Sequence, residues 1–139
     1  MTPVVVDSSA VLGLVLPDEG GVMATALEAM FRQGPPVFVP AHWGVEVANG
    51  VLMAERRRRL TPADAAAALN FLRQLPITVD DGPVARVFGE VSALARQHGL
   101  TAYDAAYLEL AMRRRATLAT LDHALNKAAK SAGLALIAG

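Results

Sequence analysis

Four of the 13 acidic side chains in this sequence sit where a solvated carboxylate does not belong. Asp7 directly follows the β-branched run Val4-Val5-Val6. Glu46 lies between Val45 and Val47, with Asn49, Gly50 and Met53 on its own helical face. Asp104 shares one helical stripe with Tyr107, Leu108 and Ala111, and Asp122 follows a short apolar stretch with one residue between. An acid on an apolar stripe is costly to bury unless it is paired or bound to a cation. The remaining acids have ordinary explanations. Asp18, Glu19, Asp64, Asp80 and Asp81 fall in turns or first helical turns, while Glu28, Glu55, Glu90 and Glu109 read as helix-surface charges. Carboxylates brought together repel, and a hard divalent cation relieves the repulsion. All-oxygen ligation suits Mg²⁺ or Mn²⁺, which keep bound water and lower its pKa. One or two such ions can hold a phosphodiester, supply the attacking hydroxide and stabilise the leaving oxygen. No Asp-rich loop has the spacing of a calcium-binding hand. His42, His98 and His123 lack zinc-ligand spacing and read as surface or cap residues.

To converge, these acids need a scaffold that sends them to one edge. Val4 to Val6 reads as a strand buried on both faces. Ser8 or Ser9 can cap a short helix to about Leu16, and the breaker from Pro17 to Gly21 follows. A helix from Val22 to Arg32 leads through Gly34-Pro35-Pro36 to a second strand, Val37 to Val39. The next helix begins near Ala41 and ends in Arg56 to Arg59. Thr61-Pro62-Ala63-Asp64 starts another, running to about Gln74, with Thr as N-cap and Pro in the first position. Ile77 to Val79 is a third strand, and Asp80 or Asp81 can cap the helix that ends near Gly99. Thr101 opens a helix to about Arg115, Ala116 to Thr120 is a fourth strand, and a helix spans His123 to Ser131. Leu134 to Ile137 reads as a fifth, edge strand.

Short strands alternating with helices imply right-handed crossovers and a parallel sheet covered on both faces, a three-layer α/β/α sandwich. Sites in such sheets lie at the carboxyl ends of the strands, which places Asp7, Glu46 and Asp122 together by topology. Asp104 joins them only if its helix starts at the same edge.

One domain over residues 1–139 accommodates all of this, with a real core. Acidic and basic side chains balance at 13 each, so no global field steers the chain onto a polyanion. Local basic runs at Arg56–Arg59 and Arg113–Arg115 can meet RNA phosphates or an acidic protein segment, or merely complement helix C-termini. The second run is the poorer candidate, about three turns from Asp104. The absence of cysteine excludes thiolate sites and disulfides, and no apolar stretch is long enough to span a bilayer. A cytoplasmic protein is expected.

With the four acids in place, the chain resembles the PIN-domain ribonucleases, and most closely the VapC-type toxins of bacterial toxin–antitoxin pairs. The likeness runs through VVVDSSAVLGLVL, VPAHWGVEVANGVL, GLTAYDAAYLELA and LATLDHALNKAAKSAGL, four motifs in order over essentially the whole chain. It implies a five-stranded parallel sheet of order 3-2-1-4-5 and Mg²⁺- or Mn²⁺-dependent endoribonuclease activity. It also implies homodimerisation, and inhibition by a cognate antitoxin of the VapB type. Asp7, Glu46, Asp104 and Asp122 would be the catalytic and metal-binding acids, with Ser9, Asn49 and Thr120 in support. Many members carry a further acid after the last Asp, where this chain has His123, Asn126 and Lys127.

Two other phosphoryl chemistries on similar folds are disfavoured. An aspartyl-phosphate phosphatase needs a second Asp where Ser9 stands, and a receiver domain needs an acidic pair after its first strand and a lysine after its last. The alternative from another class is a PIN-like scaffold that binds RNA or a protein without catalysis, which four intact acids disfavour.

Overall fold

In the computed structural model, residues 1–17, 19 and 21–137 are described; Asp18, Gly20, Ala138 and Gly139 lie outside them. Three valines form the centre of the sheet. Strand β1 (Val4–Val6) is buried at every residue and pairs in parallel with β2 (Val37–Pro40) on one side and β4 (Thr117–Ala119) on the other. Strand β3 (Thr78–Asp80) completes the order β3-β2-β1-β4 at an edge, where Thr78 and Val79 face solvent. A fifth strand from Leu134 to Ile137 does not form. Leu136 makes a single parallel bridge to Leu118, fixed by hydrogen bonds on either side. Gly133, with φ at +79°, turns the chain out of the last helix towards that bridge.

Eight α-helical segments flank this sheet among the described residues: α1 (Ser8–Leu12), α2 (Gly21–Gln33), α3 (Trp43–Arg56), α4 (Pro62–Arg73), α5 (Val84–Arg86), α6 (Ser92–His98), α7 (Ala102–Arg114) and α8 (His123–Ser131). The cap signals at Thr61 and Thr101 act as expected. Each threonine hydroxyl accepts the amide of the acid three residues on, Asp64 or Asp104, at 3.1 Å. The first helix is capped by Asp7 rather than by Ser8 or Ser9, because the aspartate carboxylate accepts the Ala10 amide, and it stops at Leu12 instead of Leu16. Helix α1 lies close on α3. A Cβ at Gly50 would meet the Leu12 side chain at 2.5 Å, so the glycine permits the approach.

The segment between β3 and α7 differs from the single capped helix expected there. Neither Asp80 nor Asp81 caps it; Pro83 precedes α5, and a π-helical turn (Val87–Val91) separates α5 from α6. In that turn the Val87 carbonyl accepts the Ser92 amide five residues on and also the Ser92 hydroxyl, the latter at 2.7 Å. Gly99, left-handed at φ +65°, ends α6 where the sequence placed the end. Helix α7 packs on β1, β2 and β4 and is also covered by α6, α8 and the π-helical turn, so it is buried nearly all round.

That enclosure overturns two surface assignments. Glu109 is 6% exposed rather than on a solvated face. Asp80 is no cap: Arg113 donates to both its oxygens at 3.1 and 2.8 Å and to Glu109 at 2.8 Å, and Arg114 adds a 3.1 Å bond to Asp80. These arginines, led by the Arg113 hydrogen bonds, hold the Asp80 carboxyl down to about 2. Arg114 also stacks over Phe38, 3.9 Å from the ring centroid. The second basic run is therefore largely structural. On α4, Leu72 is buried and Leu69 half-buried, leaving Phe71 as the exposed large apolar side chain of that face. Exposed apolar side chains concentrate instead at Val79, Val84, Val87 and Phe88.

Candidate functional site

Strand register assembles the site. Val6 pairs with Ala119, and the Asp7 amide donates to the Ala119 carbonyl at 3.0 Å, so the residues leaving β1 and β4 emerge side by side. Asp7, 3% exposed, therefore meets Thr120, whose hydroxyl donates to its Oδ2. Ser9 donates to Oδ1 at 2.7 Å and the Ala10 amide does so at 3.0 Å. Both hydroxyls also tie down the loop into α8: Ser9 Oγ accepts the Leu121 amide and Thr120 Oγ1 accepts the Asp122 amide, each at 2.9 Å. Asp122 uses one oxygen, Oδ2, to cap α8 through the Leu125 amide at 2.8 Å.

Burial pushes the Asp7 carboxyl above its ordinary range, although three hydrogen bonds favour its charged form; the nearby charge of Asp122 pushes the same way. Burial also raises Asp104, reinforced by the charges of Asp122 and Glu46. Asp122 thus bears on both Asp7 and Asp104, and Glu46 bears on Asp104. Helix α7 starts at this edge, which topology alone left open. Among the described residues, no three acids or histidines lie close enough to ligate one ion directly.

Two further residues belong here that motif spacing did not select. Tyr107 is buried and its hydroxyl donates to Glu46 Oε1 at 2.5 Å. Burial, then the hydrogen bond and charge of Glu46, keep this phenol protonated far above its ordinary range, so it remains a donor. The signal was present: a tyrosine on an apolar stripe, one turn from Asp104, needs a partner for its hydroxyl. His42, expected at the surface or a cap, does precede α3 but makes no side-chain cap. Its Nε2 lies 3.1 Å from the Tyr103 carbonyl, which can only accept, and 3.5 Å from Glu46 Oε1, one helical turn on. Its ring stands edge-to-face with both Tyr103 and Tyr107. Asn49 is exposed, and no hydrogen bond joins it to these acids. Asn126, one turn past Asp122 on α8, holds a buried Oδ1 with no hydrogen-bond partner among the described residues.

The PIN domain family model matches residues 4–131, from the first strand through α8. The chain belongs to the PIN-domain family. Among its relatives, Ribonuclease VapC3 of Pyrobaculum aerophilum is 33% identical over 121 residues, covering 87% of this chain and 90% of the relative. The PIN fold itself recurs in the crystal structure of PAE2754 from Pyrobaculum aerophilum, with a TM-score of 0.71 at 23% identity over 98% of this chain and 84% of that one. VapBC2 from Rickettsia felis, crystallised on a DNA fragment from its promoter, gives 0.65 at 15% identity over 96% of both chains. The PIN motif match starts at β1 and reaches the end of α8, so all four acids fall inside it. Among the described residues, no helix is long and apolar enough to cross a membrane.

Proposed function

We propose that this protein is a divalent-metal-dependent endoribonuclease, the toxin of a toxin–antitoxin pair. The observation that carries the reading is that the charge of Asp122 bears on both Asp7 and Asp104, and that of Glu46 on Asp104, at one sheet edge of a PIN domain. A relative covering most of both chains is named a ribonuclease.

The donor set fits Mg²⁺ or Mn²⁺. Every ligand candidate is an oxygen, and the charges crowding Asp104 and Asp7 favour a cation beside them. Because these ions retain water, the acids need not all touch the ion, which suits their spacing. When bound, the ion lowers the pKa of water and stabilises the leaving oxygen. The chain's own residues do the rest. Asp7 is held rigid by Ser9, Thr120 and the Ala10 amide, with its charged form supported by all three donors. Asp122 caps α8 with Oδ2 and has its other oxygen to offer. Tyr107 anchors Glu46 by Oε1. A water nucleophile leaves a 5′-phosphate and a 3′-hydroxyl, because the ribose 2′-hydroxyl takes no part.

The substrate places the protein in the cytoplasm. The partners are RNA, a VapB-type antitoxin and a second copy of the chain. The antitoxin follows from the VapC relative and from the likeness to VapBC2. The four intact acids continue to disfavour a non-catalytic scaffold.

End-group analysis of RNA cut in Mn²⁺ tests the chemistry. The expected ends are 5′-phosphate and 3′-hydroxyl, with cleavage abolished by EDTA. A 2′,3′-cyclic phosphate, or cleavage that survives chelation, sinks the mechanism.

A further inference from the structure

Tyr103 occupies the second position of α7, beside Asp104, with 64% of its surface exposed. A side chain there adds almost nothing to the core, and one exposed aromatic taken alone needs no explanation. Its surroundings supply one. The His42 ring stands edge-to-face against it, with centroids 5.6 Å apart at 65°, and His42 Nε2 bonds to the Tyr103 carbonyl at 3.1 Å. The backbone and one side of the ring are thereby fixed while most of the ring stays open to solvent. Leu121, next to Asp122 and 44% exposed, gives the acids a second apolar neighbour.

Charge sharpens the argument. Backbone-phosphate contacts normally dominate nucleic-acid affinity. Here the chain has no net charge, Arg113 and Arg114 are engaged by Asp80 and Glu109, and Arg59 pairs with Glu19 at 3.2 Å. The acids crowding the site carry the same charge as a phosphodiester, so a substrate held beside them gains from a contribution that is not electrostatic. A pre-fixed aromatic face supplies it, since every base has a π-face and stacking tolerates any sequence.

We propose that Tyr103 is the stacking platform for the unpaired nucleobase flanking the scissile phosphate. The proposal rests on the ribonuclease reading above. A base paired in a duplex is already stacked on its neighbours and cannot also present its face to the tyrosine.

The test compares wild type, Tyr103→Phe and Tyr103→Ala on a short single-stranded RNA, by steady-state cleavage in Mn²⁺ and by fluorescence anisotropy of the same RNA in EDTA. Stacking is worth about 1–3 kcal/mol per base, so Tyr103→Ala should raise KM roughly 5- to 150-fold, by more than it lowers kcat. Its affinity in EDTA should weaken by a similar factor. Tyr103→Phe keeps the ring and should stay within about twofold of wild type. All three should melt at the same temperature, because the ring is not in the core. An unchanged KM in Tyr103→Ala, or equal loss in the Phe and Ala variants, overturns the platform. If wild type cuts no RNA, the ribonuclease reading fails, and the EDTA arm alone decides on stacking: weaker binding by the alanine variant supports it, equal binding overturns it.

Discussion

Arg113→Met removes the guanidinium that holds two buried carboxylates together. Arg113 reaches Asp80 through two hydrogen bonds and Glu109 through three, the shortest at 2.8 Å, with the Asp80 side chain 13% exposed and that of Glu109 8%. Breaking a buried pair from one side costs about 3–5 kcal/mol, chiefly because a carboxylate is left uncompensated. Arg113 is itself 26% exposed, and Arg86 and Arg114 stay close to the orphaned acids, so about 2–3 kcal/mol is the better expectation here. For 139 residues the unfolding entropy is about 0.3 kcal/mol/K, which converts that loss to a fall in Tm of about 7–10 °C. The pH dependence fixes the cause. In wild type, the depressed Asp80 carboxyl contributes stability that is full above its ordinary value of 3.8 and is lost as pH falls toward about 2. In the variant the facing carboxylates repel, and protonation relieves them, so the deficit should shrink between pH 7 and pH 4. Adding Asp80→Asn and Glu109→Gln to Arg113→Met should recover much of the loss at pH 7. Thermal melts followed by circular dichroism read all of this. A deficit under about 1 kcal/mol at neutral pH, or one that does not shrink in acid, would refute the reasoning.

Asp7→Asn and Asp104→Asn should each abolish cleavage while raising the Tm of the metal-free protein, because burial and neighbouring acids already disfavour their charged forms. By the same sign, metal-free wild type should lose stability as pH rises through the range in which these two carboxyls ionise. Mn²⁺ at millimolar concentration should stabilise wild type in a melt and leave both variants unmoved. Asp64→Asn, at an exposed helix start, should behave as wild type throughout; equal loss there would dissolve the four-acid assignment. Light scattering should give a dimer at micromolar concentration, and Phe88→Glu, on the exposed apolar segment, should shift it to monomer. A wild-type monomer removes that expectation.

Strand-by-strand alternation and the acid left at the end of an all-valine run made the parallel sheet and Asp7 legible from the sequence, because local pattern and burial coincide there. The caps at Thr61 and Thr101 were equally local: a hydroxyl three residues before its amide partner needs no distant neighbour. Helix α7 escaped in part. Its stripe identified Asp104 and Tyr107, yet Glu109 read as a surface charge because periodicity records one buried face, and only α6 and the π-helical turn closing over the other side bury it. Asp80 escaped likewise: an aspartate before a glycine and a proline looks like a cap, and 33 residues separate it from the arginine that claims it. His42 meets Tyr103 across 61 residues and Asp7 meets Thr120 across 113. The sequence itself marked Asp7 as out of place, since an acid closing a buried valine run is a local anomaly, and left Glu109 unmarked. Only the tertiary structure decided which groups the acids face, because charge coupling depends on distance through space, and the register of β1 against β4 sets that distance.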